Sequence, residues 1–177
     1  MKKHFLPTLA LASLLPIFNA PAGDWPQWRG ANRDDHSPDK GIAKQWPTGG
    51  PKQLWVFDDA GLGYAGYAIV GDVLFTMGLR GDVEHLIAVD AKSGKQKWST
   101  EIGPILKNGW GDGPRGTPTV SGDNVYAMSG NGFLICAAKA DGKEVWKARM
   151  ADFGGRTPGW GYTESVLVDD GKVICTP

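Results

Sequence analysis

Cysteine, histidine and net charge are all scarce in this sequence, and each scarcity argues against a class of protein. The 177 residues include two cysteines and three histidines, and 19 basic residues balance 19 acidic ones. Two cysteines are too few for a disulfide-stapled miniprotein, so Cys136 and Cys175 are interpreted as small buried apolar residues on strands. A disulfide bond between the two cysteines is the alternative interpretation. The balanced charge offers no basic surface for nucleic acid.

The sequence also lacks the motifs of common enzyme classes. It has no Gly-rich phosphate loop, no G-x-S-x-G elbow and no H-E-x-x-H or C-x-x-C metal pair. His36 and His85 lie far apart in sequence, without metal-ligand partners close by. No catalytic residue and no metal ligand is therefore predicted.

The first residues have the composition of a secretory signal. Lys2 and Lys3 precede a mostly apolar run over residues 5–18, which is too short to span a bilayer. Residues 20–22, Ala-Pro-Ala, supply the small-x-small pattern of a cleavage site, so cleavage is expected after Ala22. The mature chain would carry a net charge of −2 and lie in the periplasm or outside the cell. A retained membrane anchor is the alternative, disfavoured by the same length.

A repeated unit that ends in tryptophan is the most informative feature of the chain. Residues 68–98 and 118–146 align through strand, turn, strand, turn and a closing tryptophan. Trp98 and Trp146 are 48 residues apart, and Trp55 precedes Trp98 by 43. Short β-branched or aromatic runs alternate with Gly-Asp, Asp-Gly and Ser-Gly turns, which favour tight hairpins. A four-stranded antiparallel sheet at this period is typical of a propeller blade.

The predicted fold is therefore an all-β, incomplete β-propeller of about three four-stranded antiparallel blades. We divide the chain into a signal peptide over 1–22, an extended segment over 23–50 and propeller blades over 51–177. A third repeat begins at Ser165 and stops before its outer strands. We expect an N-terminal fragment of a longer propeller, with closure by a homo-oligomer as the alternative, because blades bury their apolar faces only against neighbours.

The repeating tryptophans are interpreted as structural. Trp55, Trp98 and Trp146 are each expected to fill the gap between neighbouring sheets and to donate one hydrogen bond. Removing Trp98 or Trp146 is expected to cost about 3 to 5 kcal/mol in either case. The turn glycines Gly94 and Gly142 are expected to serve the backbone.

Two stretches resemble a known repeat family. Residues 86–98, L-I-A-V-D-A-K-S-G-K-Q-K-W, resemble the pyrroloquinoline-quinone (PQQ) repeat pattern A-x-D-x-x-T-G-x-x-x-W, from which the second copy departs at Ala138 and Asp141. Residues 24–34, D-W-P-Q-W-R-G-A-N-R-D, resemble the opening of exported PQQ-like propeller proteins of planctomycete-type bacteria. The resemblance implies a BamB-like or quinoprotein alcohol dehydrogenase-like propeller, which has eight blades in the family.

Segments rich in glycine and aromatic residues lead into the first strand of each blade. Because that strand is innermost in a propeller, these segments should ring one mouth of the channel. They supply five candidate ligand-facing residues, Tyr64, Trp110, Arg115, Trp160 and Glu164. Packing between blades is the favoured interpretation for the tryptophans, whereas Arg115 and Glu164 either meet a polar ligand or pair with each other.

Two functions follow as expectations. The favoured one is a periplasmic binding or scaffold module that acts through its propeller face on another protein or a small polar ligand. The alternative, implied only by the resemblance, is part of a PQQ- and calcium-dependent dehydrogenase of alcohols or sugars. Such an enzyme needs a basic cluster, a carboxylate base and oxygen ligands for calcium. No such set is evident in this segment, so no cofactor is predicted and a non-enzymatic role is favoured.

Overall fold

The architecture is built from short strands, as the repeat predicts. A computed structural model describes residues 23–177, so the expected leader with its cleavage site after Ala22 lies outside the described residues. Those residues form ten strands and one 3-10 turn, Met150–Phe153. None of the helical structure in this part of the chain is long or apolar enough to cross a membrane. The predicted all-β class is confirmed.

Two four-stranded antiparallel sheets follow one another along the chain, and each has its strands in sequence order. The first blade consists of β1 Ala68–Val70, β2 Val73–Arg80, β3 Val83–Asp90 and β4 Gln96–Pro104. The second blade consists of β5 Thr119–Ser121, β6 Asn124–Met128, β7 Phe133–Ala138 and β8 Glu144–Arg149. A hairpin opens the third blade with β9 Leu167–Asp169 and β10 Lys172–Ile174. The predicted blades are confirmed as two full sheets and the start of a third.

Equivalent glycines make the first turn of both full blades. Gly71 and Gly122 each hold the first of two turn residues, with φ of 56° and 57°, between strands paired as Val70 with Val73 and Ser121 with Asn124. A two-residue hairpin needs positive φ at this point, which glycine adopts without steric cost.

The main core lies between the first and second blades. Buried apolar side chains from both sheets form one cluster, which includes Phe75, Leu86, Trp98, Val125 and Ile135. Trp98 is 9% exposed, and its Nε1 donates to the Lys139 carbonyl of the second blade at 3.1 Å. Trp55 repeats this contact one blade earlier, donating from Nε1 to the Ala91 carbonyl at 2.9 Å.

Trp146 differs from the other two tryptophans. It is 37% exposed and lines a cavity of about 310 Å³ together with Val173 and Cys175. Its ring centroid lies 6.0 Å from that of Tyr126 in its own blade. The expected equivalence of Trp98 and Trp146 is therefore not seen, because the third-blade hairpin covers Trp146 only in part.

The two cysteines are free. Cys136 is buried on β7, and burial raises the pKa of its thiol. Cys175 lies just after β10, with its Sγ 3.8 Å from Sδ of Met150, and burial raises its thiol pKa as well. The strand placement expected for both thus holds for Cys136 alone, and the two thiols are not paired.

Candidate functional site

The segment of residues 24–35, named the inner strap here, runs along the innermost strands. Trp25 and Ile69 exchange two backbone hydrogen bonds of 2.7 and 2.8 Å, which add the strap to the edge of β1. The Pro26 carbonyl then accepts from the Val120 amide of β5 at 2.8 Å. The strap therefore satisfies inner-edge backbone groups of both full blades.

Arg33 connects the inner strap to the third blade by hydrogen bonds. Its Nη2 donates to the carbonyls of Ser165 at 3.2 Å and Val166 at 2.8 Å, while its Nε donates to Oε1 of Gln27 at 2.9 Å. The same Val166 carbonyl also accepts from the Thr119 hydroxyl at 2.7 Å. The sequence singled out this segment only through its family resemblance. The feature of the sequence that could have pointed to Arg33 is the presence of a charged residue inside this motif, ahead of the first strand.

Two adjoining cavities form a single groove on one side of these inner strands, named the mouth groove here. The larger, of about 620 Å³, is lined by residues that include Trp28, Arg33, Tyr64, Arg115, Thr117 and Glu164. The smaller, of about 380 Å³, is lined by Tyr64, Trp110, Arg115, Trp160 and Thr163. Three residues belong to both linings: Tyr64, Arg115 and Thr163. The structure thus brings together all five residues that the sequence proposed as ligand-facing.

The aromatic half of the groove is open to solvent. Trp110 is 74% exposed and Trp160 is 57% exposed, and their ring centroids lie 5.4 Å apart at an interplanar angle of 33°. Tyr64 is 62% exposed and donates from its hydroxyl to the Trp110 carbonyl at 2.6 Å. Their contact joins the segments that lead into the second and third blades, and it lies at the exposed surface and not in a core.

Arg115 is held in place by its own loop. Its Nη2 donates to the Gly111 carbonyl at 2.7 Å and its Nη1 donates to the Gly113 carbonyl. Its Cζ lies 5.5 Å from the centroid of the Tyr64 ring, a cation–π distance. Within residues 23–177, Arg115 forms no ion pair with a carboxylate. A guanidinium has five N–H donors, so donors remain for a ligand.

Glu164 is the acidic residue that lines the mouth groove among residues 23–177. Its Oε2 accepts from the Thr176 amide at 2.9 Å, and it lines only the larger cavity. The expected alternative, a direct pair between Arg115 and Glu164, does not form among the described residues. The groove thus presents cationic groups and an anionic group, with no ion pair between Arg115 and Glu164.

Glu84 is a buried carboxylate that the sequence reasoning missed. It lies on β3, and its two oxygens accept from the amides of Leu106 at 2.9 Å and Gly130 at 2.7 Å. Burial raises its pKa, while those two hydrogen bonds and the charge of Arg115 oppose the rise. Because Gly130 belongs to the second blade, Glu84 ties the two full blades together.

Successive four-stranded sheets, joined by tryptophans that bond to the next unit, define a β-propeller built from tryptophan-ended repeats. The chain belongs to the family described as outer membrane protein assembly factor BamB, which residues 82–177 match. The PQQ-like propeller family expected from the sequence is thereby confirmed.

Similar proteins were found among both curated sequences and solved structures. A protein named outer membrane protein assembly factor BamB from Burkholderia pseudomallei (strain K96243) is 39% identical over 81 residues, which cover 46% of this chain and 18% of that protein. The chain therefore spans less than a fifth of that relative. Among solved structures, a europium-containing methanol dehydrogenase is 23% identical, with a TM-score of 0.34 over 48% of this chain and 15% of that one. BamB from Moraxella catarrhalis is 25% identical, with a TM-score of 0.33 over 45% and 21%.

Proposed function

We propose that this chain is an exported binding or scaffold module that acts on a protein partner through its mouth groove. The observation that carries the proposal is the lining of the groove. Three large aromatic side chains, Tyr64, Trp110 and Trp160, are exposed side by side around the guanidinium of Arg115. Contiguous exposed apolar surface marks interaction sites, and tryptophan, tyrosine and arginine are the residues enriched at their centres.

The groove is also organised in advance of binding. Two backbone carbonyls fix Arg115, and the Tyr64 hydroxyl is tied to the loop of Trp110. Because these side chains are already held, little conformational freedom is lost when a partner docks. The name of the matched relative, an assembly factor, supports a protein as the partner.

Site-specific photo-crosslinking tests where the chain makes its contacts. A photoreactive phenylalanine analogue would replace Trp110 or Trp160 in the protein produced in its native host, and Trp46 would serve as the control position. Trp46 is equally an exposed tryptophan, but it lines neither cavity of the groove. Adducts at positions 110 and 160 and none at 46 are expected. Equal adducts at all three positions, or none at 110 and 160, would refute binding through the mouth.

The donors of the groove do not match the needs of PQQ with calcium. Arg33 and Arg115 both donate to backbone carbonyls, and in the described part of the chain Glu164 is the one carboxylate in the two linings. No group of three His, Cys, Asp or Glu residues able to hold a metal ion occurs among residues 23–177. A dye-reduction assay with added PQQ, calcium and alcohols or aldose sugars is expected to give no turnover, and calcium-dependent turnover would favour the dehydrogenase.

A further inference from the structure

The positive charge of Arg115 determines which sign of ligand charge the mouth groove favours. Among residues 23–177, Arg115 is the one charged residue that lines the smaller cavity. Aromatic faces alone attract cations, but a cationic ligand placed among Tyr64, Trp110 and Trp160 would be repelled by the adjacent guanidinium. An anionic group instead finds the unused N–H donors of Arg115, and charge-assisted bonds of this kind are the strong ones. The aromatic half therefore favours an acidic ligand.

The shape of the aromatic half selects a planar or apolar group beside that acid. Trp110 and Trp160 are tilted by 33° with centroids 5.4 Å apart, and more than half of each side chain is exposed. A third ring can add to such a pair in a stacked or edge-to-face arrangement, which is worth about 0.5 to 1.5 kcal/mol beyond its burial.

The groove continues beyond this pocket, which favours a chain over a small molecule. Tyr64, Arg115 and Thr163 connect the aromatic half to the larger cavity, which Arg33 and Glu164 also line. A ligand that occupied both halves would need acid next to Arg115 and Arg33 and a neutral group near Glu164. An extended peptide can offer a different side chain to each of these places along its length.

We propose that the mouth groove docks an extended peptide segment of the partner in which an aromatic residue is flanked by acidic residues. The aromatic side chain packs on Trp110 and Trp160, and a neighbouring carboxylate accepts from Arg115. This inference rests on the proposed function and adds to it the chemistry of the partner. The interaction is non-covalent, so affinity and its salt dependence measure it directly.

Fluorescence anisotropy with labelled octapeptides tests the inference on the purified chain. One probe carries Glu-Phe-Glu at its centre between Gly and Ser residues, and the matched probes carry Lys-Phe-Lys or Glu-Ala-Glu instead. The Glu-Phe-Glu peptide is expected to bind about tenfold more tightly than either, because each comparison removes one of the two contacts. Its binding should weaken as salt is raised. Tighter binding of the lysine peptide, or competition by phenylacetate as effective as by the unlabelled peptide, would overturn the inference.

Two variants and two controls separate the groove from the rest of the surface. Arg115→Gln is expected to remove the preference for Glu-Phe-Glu over Lys-Phe-Lys, and Trp110→Ala to remove the preference over Glu-Ala-Glu. Arg156→Gln and Trp46→Ala remove an exposed arginine and an exposed tryptophan outside both cavities, and should leave both preferences intact. Unchanged preferences in Trp110→Ala would refute the aromatic contact even if Arg115→Gln fails to fold.

The two proposals fail in different ways. Crosslinks confined to positions 110 and 160, together with no preference among the peptides, would leave the mouth as the binding site and refute the acidic aromatic segment. Crosslinks absent from both positions would refute the mouth as the binding site, whatever the peptides do.

Discussion

The indole of Trp98 lies against Gly142 of the following blade, so closely that a Cβ at position 142 would come within 2.5 Å of Cε3 of the ring. The previous junction has the same relationship, because a Cβ at Gly94 would lie 2.7 Å from Cδ2 of Trp55. In both cases the indole N–H bonds to a carbonyl of the same turn, that of Lys139 or Ala91. Each turn glycine therefore leaves room for the indole of the preceding repeat, because a Cβ at that position would overlap with the ring.

Gly142→Ala is expected to destabilise the chain more than a glycine substitution that introduces backbone strain alone. Gly122→Ala is the matched control, since Gly122 also has positive φ but nothing within 4 Å of the added Cβ, whereas Gly142 has φ of 75° and the Trp98 ring above it. Both variants incur a left-handed penalty of about 1 to 2 kcal/mol. Gly142→Ala adds an overpacking cost of about 1 to 3 kcal/mol.

Urea unfolding with a tryptophan fluorescence readout measures both variants. Comparable m-values would allow the two free energies of unfolding to be compared directly. Equal losses of unfolding free energy in Gly142→Ala and Gly122→Ala would show that the indole does not need the space left by the missing side chain of Gly142.

Removing Trp98 is expected to cost more than removing Trp146. Trp98 is 9% exposed and bonds across the blade junction, whereas Trp146 is 37% exposed beside a cavity. Trp98→Ala should lower the free energy of unfolding by about 3 to 5 kcal/mol, as large buried aromatics do. Trp146→Ala should cost less than about 2 kcal/mol, because part of its surface is already in water. The same urea titrations measure both variants. Equal losses of unfolding free energy would mean that Trp146 contributes as much to packing between blades as Trp98 does.

The repeat was enough to predict the strands, the turns and the role of Trp98. Those features are local, or recur at a fixed period, so the sequence displays them directly. The five residues of the mouth were predicted for a similar reason, since the same position in each repeat comes to the same face of a propeller. The roles of Glu84, Arg33 and Trp146 could not be read in this way. Glu84 and Arg33 depend on which backbone groups of another blade lie opposite, and Trp146 depends on how far the third-blade hairpin covers it. The pattern within one repeat contains neither kind of information.

Glu84→Gln is expected to change how stability depends on pH. Burial raises the pKa of Glu84 in the folded chain above its ordinary value of 4.5, so the folded state binds this proton more tightly than the unfolded state does. The stability contributed by Glu84 is therefore highest below pH 4.5 and falls as pH rises through the raised value. The free energy of unfolding of the original chain, relative to the variant, should decline over that window and then level off.

The glutamine variant should also be less stable throughout. Its one amide oxygen can accept from either Leu106 or Gly130, and its NH2 group then faces the other amide, which costs about 1 to 3 kcal/mol. Urea titrations across a series of pH values give both quantities, and Glu101→Gln controls for the loss of a charge from an exposed strand position. A relative stability that rises with pH would contradict the assigned direction of the pKa shift.

Arg33→Ala is expected to loosen the inner strap from the blades. Arg33 donates to two carbonyls of the third blade, and charged hydrogen bonds of this kind contribute about 1.5 to 3 kcal/mol. The amides of Ile69 and Val120 donate to strap carbonyls, so their hydrogen exchange reports when the strap opens. Since 1.4 kcal/mol corresponds to a factor of ten, both amides should exchange at least about tenfold faster in the variant. Arg29→Ala is the control, because among residues 23–177 the contacts of the Arg29 side chain, to Asp35 and the Trp28 ring, stay within the same segment and do not reach the third blade. Unchanged protection at Ile69 and Val120 in Arg33→Ala would mean that β1 and β5 hold the strap without help from the third blade.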